Sequence, residues 1–208
     1  QYDVGDELSV ERLDDGIVQY LQNGSVFYTS TKKAPADVEL MADVSIHDHG
    51  GELGATTIRS GNGEAEAIAW ISDEHLTVGR YGKDVETQFT DINNDGVADA
   101  VITDGHGQIW TRLGEGDGSF GEVQFQSGGN SDGSLHKSLS SNSWGNGGAY
   151  SSQSFKGSGS VTTIVADKTS KMFGLSDDAG YESYQSIDFA LYQHANGWIY
   201  IYENGSNR

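Results

Sequence analysis

The stretch Glu7–Ser30, ELSVERLDDGIVQYLQNGSVFYTS, decides the fold class. Short runs rich in Val, Ile, Tyr and Phe are cut by Asp15-Gly16 and Asn23-Gly24, dipeptides that accept the positive φ of tight hairpin turns. Three successive strands are therefore predicted at Glu7 to Arg12, Ile17 to Gln22 and Ser25 to Ser30. The same punctuation recurs at Asp104-Gly105, Asn196-Gly197 and Asn204-Gly205. Between these turns the pattern predicts strands at Glu39 to Ile46, Ile68 to Ile71, Leu76 to Arg80, Ala98 to Thr103 and Ile109 to Leu113. Four more follow, at Val161 to Ala166, Lys171 to Leu175, Ser186 to Tyr192 and Trp198 to Tyr202. With 29 glycines, one proline and no sustained 3.6-residue periodicity, the chain reads as all-β.

Its 208 residues are enough for one large or two small domains, with a core. The 31 acidic and 12 basic side chains leave a net charge of −19, a field that repels phosphate backbones and anionic lipid, so nucleic acid is a poor partner. The same field attracts cations. There is no cysteine, which excludes disulfides, thiolate metal sites and a cysteine nucleophile. No apolar run approaches the roughly 18 residues of a membrane span, so no membrane insertion is expected. No basic segment followed by an apolar run opens the chain, which reads as a mature or excised piece.

Composition divides the chain further. Residues 1–58 and 148–208 are rich in Tyr, Val and Ile with frequent hairpin turns, while 127–147 is a Ser/Gly/Asn run that reads as a linker. Between them, 59–126 carries an internal repeat: Gly63-Glu64-Ala65-Glu66-Ala67-Ile68 returns 33 positions later as Gly96-Val97-Ala98-Asp99-Ala100-Val101.

The second copy contains Asp91-Ile92-Asn93-Asn94-Asp95-Gly96-Val97-Ala98-Asp99, a D-x-N-x-D-G-x-x-D loop. Oxygen-bearing side chains at alternate positions, followed by a glycine for a sharp turn, suit a hard cation that takes six or seven oxygens. Side-chain ligation of Ca2+ is expected from Asp91, Asn93, Asp95 and Asp99, with the Val97 carbonyl as a backbone ligand. The alternative is an Asp/Asn turn with no ion. An EF-hand is excluded, because the bidentate Glu at its twelfth position and the flanking helices are missing.

Phe89 to Val123, FTDINNDGVADAVITDGHGQIWTRLGEGDGSFGEV, resembles the FG-GAP or VCBS repeats of integrin-α-like propellers and bacterial adhesins. That resemblance implies a calcium loop between two strands of a blade. In the first copy Ile58, Ser60, Asn62 and Glu66 stand at the matching positions, so no strong calcium site is expected there. Read in the opposite order, Phe173 to Arg208 (FGLSDDAGYESYQSIDFALYQHANGWIYIYENGSNR) and then Tyr2 to Leu53 look like one bacterial concanavalin-A-like or jelly-roll module. This implies a jelly-roll-like antiparallel sandwich built from the two flanks in permuted order, with the FG-GAP/VCBS-type β-repeat inserted. A circular permutant, one frame of a tandem array, or a subunit completed by its neighbour would each produce that order.

The function expected is that of a secreted or cell-surface, calcium-binding structural or adhesion protein that self-associates or contacts neighbouring repeats, and not an enzyme. The alternative is a carbohydrate-binding module, gripping a glycan through Asp177, Asp178, Asn196 and Trp198. His47-Asp48-His49 reads as a solvated turn more readily than as a transition-metal site. Gly129-Asn130-Ser131-Asp132-Gly133 lacks the buried strand and helix that a nucleophile elbow needs.

Overall fold

The computed structural model describes residues 1–72, 76–78, 86–93, 95–103, 109–121, 124–126, 132–137, 140–178 and 184–208. The strands among them are β1 (Glu7–Arg12), β2 (Ile17–Gln22), β3 (Ser25–Lys33), β4 (Leu40–Ile46), β5 (Glu52–Ser60), β6 (Glu66–Ala67), β7 (Trp70–Ser72) and β8 (Leu76–Val78). Next come β9 (Glu86–Thr90), β10 (Asp99–Thr103), β11 (Ile109–Arg112), β12 (Gln124–Gln126), β13 (Leu135–Lys137), β14 (Gly148–Phe155) and β15 (Gly159–Val165). The last are β16 (Lys171–Ser176), β17 (Phe189–Gln193), β18 (Ile199–Glu203) and β19 (Ser206–Asn207). Described residues form no α-helix.

The chain divides into two compact units, one of residues 1–78 with 132–208 and one of residues 79–131. The first is an antiparallel β-sandwich. One sheet is eight-stranded, in the order β3-β2-β1-β15-β5-β13-β8 with β6 on β5, and the other is seven-stranded, in the order β19-β18-β17-β16-β4-β14-β7.

Period-two alternation builds the core, since successive side chains of a strand point to opposite faces. Across the larger sheet, Ile58, Val161, Val10 and Tyr20 stand in register in one inward row. Across the smaller sheet, Val44, Phe173, Leu191 and Ile201 do the same. All eight are buried, and each such side chain contributes about 1.5–3 kcal/mol by leaving water.

Both flanks of the sequence enter this sandwich within one chain. β1 lies between β2 and β15, and β16 lies between β17 and β4. Trp198 to Tyr202 and Glu7 to Arg12 serve opposite sheets, since β18 belongs to the seven-stranded sheet and β1 to the eight-stranded one.

Three sequence boundaries need correction. The strands of the first repeat copy belong to the sandwich: β6 pairs with β5, β7 with β14 and β8 with β13. The two copies share a local alternation but not a set of partners. The Ser/Gly/Asn run 127–147 is no simple linker, because Leu135–Lys137 within it pairs with both β5 and β8. β5 and β14 also lie where no strand is predicted; Thr, Ser, Gly and Gln dilute their apolar signal, and their burial comes from distant partners. The Asp104-Gly105 turn lies outside the described residues.

Candidate metal centre

The second unit is a four-stranded antiparallel sheet in the order β12-β11-β10-β9. Antiparallel pairing of Thr90 with Asp99 closes the ladder between β9 and β10, so the intervening residues leave it as a loop. Gly96, at φ 87°, makes the reversal in a backbone region that disfavours other residues.

Side-chain oxygens wrap this loop. Asp91 Oδ1 accepts the Asp95 N–H at 3.1 Å, and its Oδ2 accepts that of Gly96 at 2.9 Å. Asn93 Oδ1 accepts the same Asp95 N–H at 3.1 Å, while its amide donates to Asp95 Oδ2 at 2.7 Å. Asp95 Oδ1 accepts the Val97 N–H at 2.8 Å. Asp91, Asn93 and Asp95 are exposed, so three of the five proposed ligands gather on the open side of the loop.

Asp99 is placed differently. Its side chain is fully enclosed, with Oδ1 accepting the Gly114 N–H and Oδ2 that of Ile92, each at 2.8 Å. These two bonds, Gly114 first, hold its carboxyl below the usual carboxylate range. Gly114 is required there, because a Cβ would sit 2.4 Å from the Ala98 carbonyl oxygen. Asp99 therefore ties the loop to the far end of β11.

The donor set is all oxygen, and a carboxylate oxygen that accepts one N–H keeps a second lone pair for an ion, so Asp91, Asn93 and Asp95 fit a hard cation. Among the described residues no group of three or more His, Asp or Glu side chains stands ready to hold a metal. Any site here draws on the Asn93 amide and a backbone carbonyl besides its carboxylates. Two of the matching positions of the first copy, Ile58 and Glu66, stand opposite each other in a β-ladder.

The four residues suggested for glycan contact do not converge. Asp177 and Asp178 lie near Asp188, where Asp188 Oδ2 accepts the Asp177 N–H at 3.1 Å and burial, with the neighbouring Asp177 and Asp178, raises the Asp188 carboxyl. Asn196 and Trp198 occupy the turn at the other end of the β17–β18 hairpin, where the Trp198 N–H donates to Asn196 Oδ1 at 3.0 Å. His47 and His49 are likewise engaged separately: His47 Nδ1 lies 2.6 Å from Asp48 Oδ1, and the His49 N–H donates to Asn142 Oδ1.

A shallow groove of about 320 Å³ on the outer face of the eight-stranded sheet is lined by Glu7, Ser9, Glu11, Thr57, Arg59 and Thr162, among others. Its floor is hydroxyl, with Ser9 and Thr162 joined at 2.8 Å. Arg59 pairs with Glu11 at 3.1 Å. Glu7 and Glu11 stand side by side along one strand, roughly 13 Å apart by strand rise, and do not face each other as a glycosidase pair does.

Sequence reasoning missed the interior cations. Arg12, Lys137 and Lys171 are fully buried, and no local pattern distinguishes them from surface basic residues. It also placed no role on Trp144, which packs edge-on against Tyr184 at 5.1 Å and Tyr192 at 5.4 Å.

Comparison with protein-family models, with curated proteins and with solved structures found no match for this chain.

Proposed function

We propose that this chain is an extracellular structural or adhesion module, stiffened by calcium at the Asp91–Asp99 loop and without catalytic activity. The observation that carries this reading is the gathering of three oxygen-bearing side chains on the exposed side of one loop: Asp91 Oδ1 and Asn93 Oδ1 both accept the Asp95 N–H, and Asp95 Oδ2 accepts the Asn93 amide. Calcium would draw these oxygens off their N–H partners onto itself and relieve the repulsion between Asp91 and Asp95. Asp99, enclosed and accepting the Gly114 and Ile92 N–H groups, holds the loop in place beneath. The net charge of −19, the absence of cysteine and the resemblance to FG-GAP/VCBS repeats and to a jelly-roll module support the same reading. Calcium that binds only the folded loop stabilises it by RT ln(1 + [Ca]/Kd), about 2.7 kcal/mol at a hundredfold excess over Kd. Calorimetric titration of the metal-free protein tests it: saturable heat that Asp95→Ala removes supports the proposal, and no heat with either protein refutes it.

A second reading rests on Trp198, which is 50% exposed beside Asn196 and Tyr200. An exposed indole with a neighbouring amide and phenol suits sugar stacking. Retention on a glycan array that Trp198→Ala abolishes would favour a carbohydrate-binding module.

A further inference from the structure

Among the described residues, four oxygens surround the Lys137 ammonium. Nζ lies 2.9 Å from the Ile46 carbonyl, 2.8 Å from that of His47, 2.7 Å from that of Ser143 and 2.7 Å from Asn146 Oδ1. Its side chain is fully buried. The cage is built at several levels. The Asn146 amide donates to Ser141 Oγ at 2.9 Å, which turns its oxygen toward Nζ. Gly147 leaves room for the lysine stem, since a Cβ there would stand 3.1 and 3.2 Å from Lys137 Cδ and Cε and 2.5 Å from the Ile46 oxygen. The backbone closes around it through Ile46 N–H to Gly147 O at 2.8 Å and Ser143 N–H to His47 O at 3.1 Å.

Two properties of this cage are those of an ion site. An ammonium has three hydrogens and meets four oxygens here, one more than it can serve with separate bonds. The size of the cage also bears on which free ion it would take. Distances of 2.7 to 2.9 Å suit potassium or free ammonium, whereas calcium binds oxygen at about 2.3–2.6 Å and magnesium at about 2.0–2.1 Å.

The segment that the cage holds is otherwise tied by single polar bonds, with the Ser45 hydroxyl donating to the Trp144 carbonyl at 2.9 Å and the His49 N–H to Asn142 Oδ1 at 2.8 Å. Residues 140–147 read Ser-Ser-Asn-Ser-Trp-Gly-Asn-Gly, with Trp144 as the one large apolar side chain. Trp144 stacks on His47 at 4.9 Å and packs on Tyr184 and Tyr192, over the outer face of the seven-stranded sheet. Ser143 and His47, whose carbonyls bind Nζ, flank or carry that contact.

We propose that Ile46, His47, Ser143 and Asn146 form a monovalent-cation site whose occupant is the chain's own Lys137 ammonium, and that this tethered cation holds residues 140–147 and Trp144 on the sheet. Shortening Lys137 empties the site for a free ion of the same size. Lys137→Ala removes the charge and leaves space. Lys137→Met removes the charge and fills the space.

The test is amide exchange at Ser143 and limited proteolysis of residues 140–147, at equal ionic strength in ammonium, potassium or tetramethylammonium chloride. Exchange should quicken by roughly tenfold or more in both variants in tetramethylammonium, which is too large for the cage. Ammonium and potassium should restore protection to Lys137→Ala, leave Lys137→Met unprotected and not affect the native protein. Adding Asn146→Ala to Lys137→Ala should remove the rescue, while Asn146→Ala alone leaves three carbonyls for three hydrogens and much of the protection. Native protection in Lys137→Met, or a Lys137→Ala protein that none of the three salts distinguishes, folded or unfolded, overturns the proposal.

Discussion

The Tyr2 hydroxyl donates to the His194 carbonyl at 2.9 Å, joining residues 192 positions apart. The Tyr2 N–H adds a bond to Gly197 O at 3.0 Å, so the N-terminal segment is latched to the β17–β18 turn. Tyr2 is buried, which pushes its phenol up to about 12, so this donor stays protonated through the neutral range. Tyr2→Phe should lower unfolding free energy by about 0.5–1.5 kcal/mol and Tyr2→Ala by about 3–5 kcal/mol, read from urea midpoints at constant m. Deleting residues 1–12 removes β1 from between β2 and β15, and the product should give no cooperative transition.

Calcium response and loop integrity should separate at two acids. Asp95 is exposed, so Asp95→Ala should abolish the shift in melting temperature between calcium and chelator. Asp99→Asn replaces one of two acceptors with a donor facing a backbone N–H, and it should lower the melting temperature in chelator as well. Equal effects of the two substitutions in chelator would contradict this division of roles.

Acid should weaken the sandwich through Asp48 and Asp167. Burial acts to raise both carboxyls, but in Asp48 the Ser170 N–H and His47, and in Asp167 the Lys171 ammonium and Thr169, outweigh it and lower them. A carboxyl lowered on folding stabilises above its unfolded value and loses that contribution as pH falls through the folded value. The urea midpoint should therefore fall as pH drops from neutral through and below the ordinary carboxylate range. Asp188, raised chiefly by burial, acts with the opposite sign: its contribution is present in acid and is lost as pH rises through its folded value. Asp188→Asn, which imitates the protonated form, should remove that opposing component and leave a steeper net rise of stability from acid to neutral pH.

Arg12 holds two loops to the sheet through four carbonyls: Gly157 at 2.5 Å, Val38 at 2.8 Å, Pro35 at 3.0 Å and Phe155 at 3.4 Å. Its guanidinium also lies over the Phe155 ring, 5.2 Å from the centroid. Lysine keeps the charge but not the planar fork, so Arg12→Lys should cost about 1–3 kcal/mol, measured by denaturant unfolding. A change within error would mean that water replaces the lost donors.

Much of the local structure was legible in the residues themselves. Asn23-Gly24 and Asn204-Gly205 have φ of 51° and 73°, and of 49° and 70°, the paired positive values that their sequence demands of a two-residue hairpin. Glu7–Arg12 and Ile17–Gln22 are strands at their predicted limits, because Leu8, Val10, Val18 and Tyr20 alternate inward where the core needs them. The Asp91–Asp99 loop was likewise readable, since its oxygens bond N–H groups two to seven residues away, except that Asp99 also takes the Gly114 N–H.

Local spacing determined many of the strands, the Asn-Gly hairpin turns and the loop that gathers oxygens, because those outcomes depend on φ preferences and on alternation over a few residues. The tertiary structure alone decided the rest. Lys137 reads as one cation in a polar run, yet Ile46 and His47, some ninety residues earlier, supply half of the cage that buries it. Glu66–Ala67 matches Asp99–Ala100 in sequence, but β5 captures the first pair and β9 and β11 flank the second. An open β-edge takes whichever partner buries the most surface, and only the assembled sheets determine which partner that is.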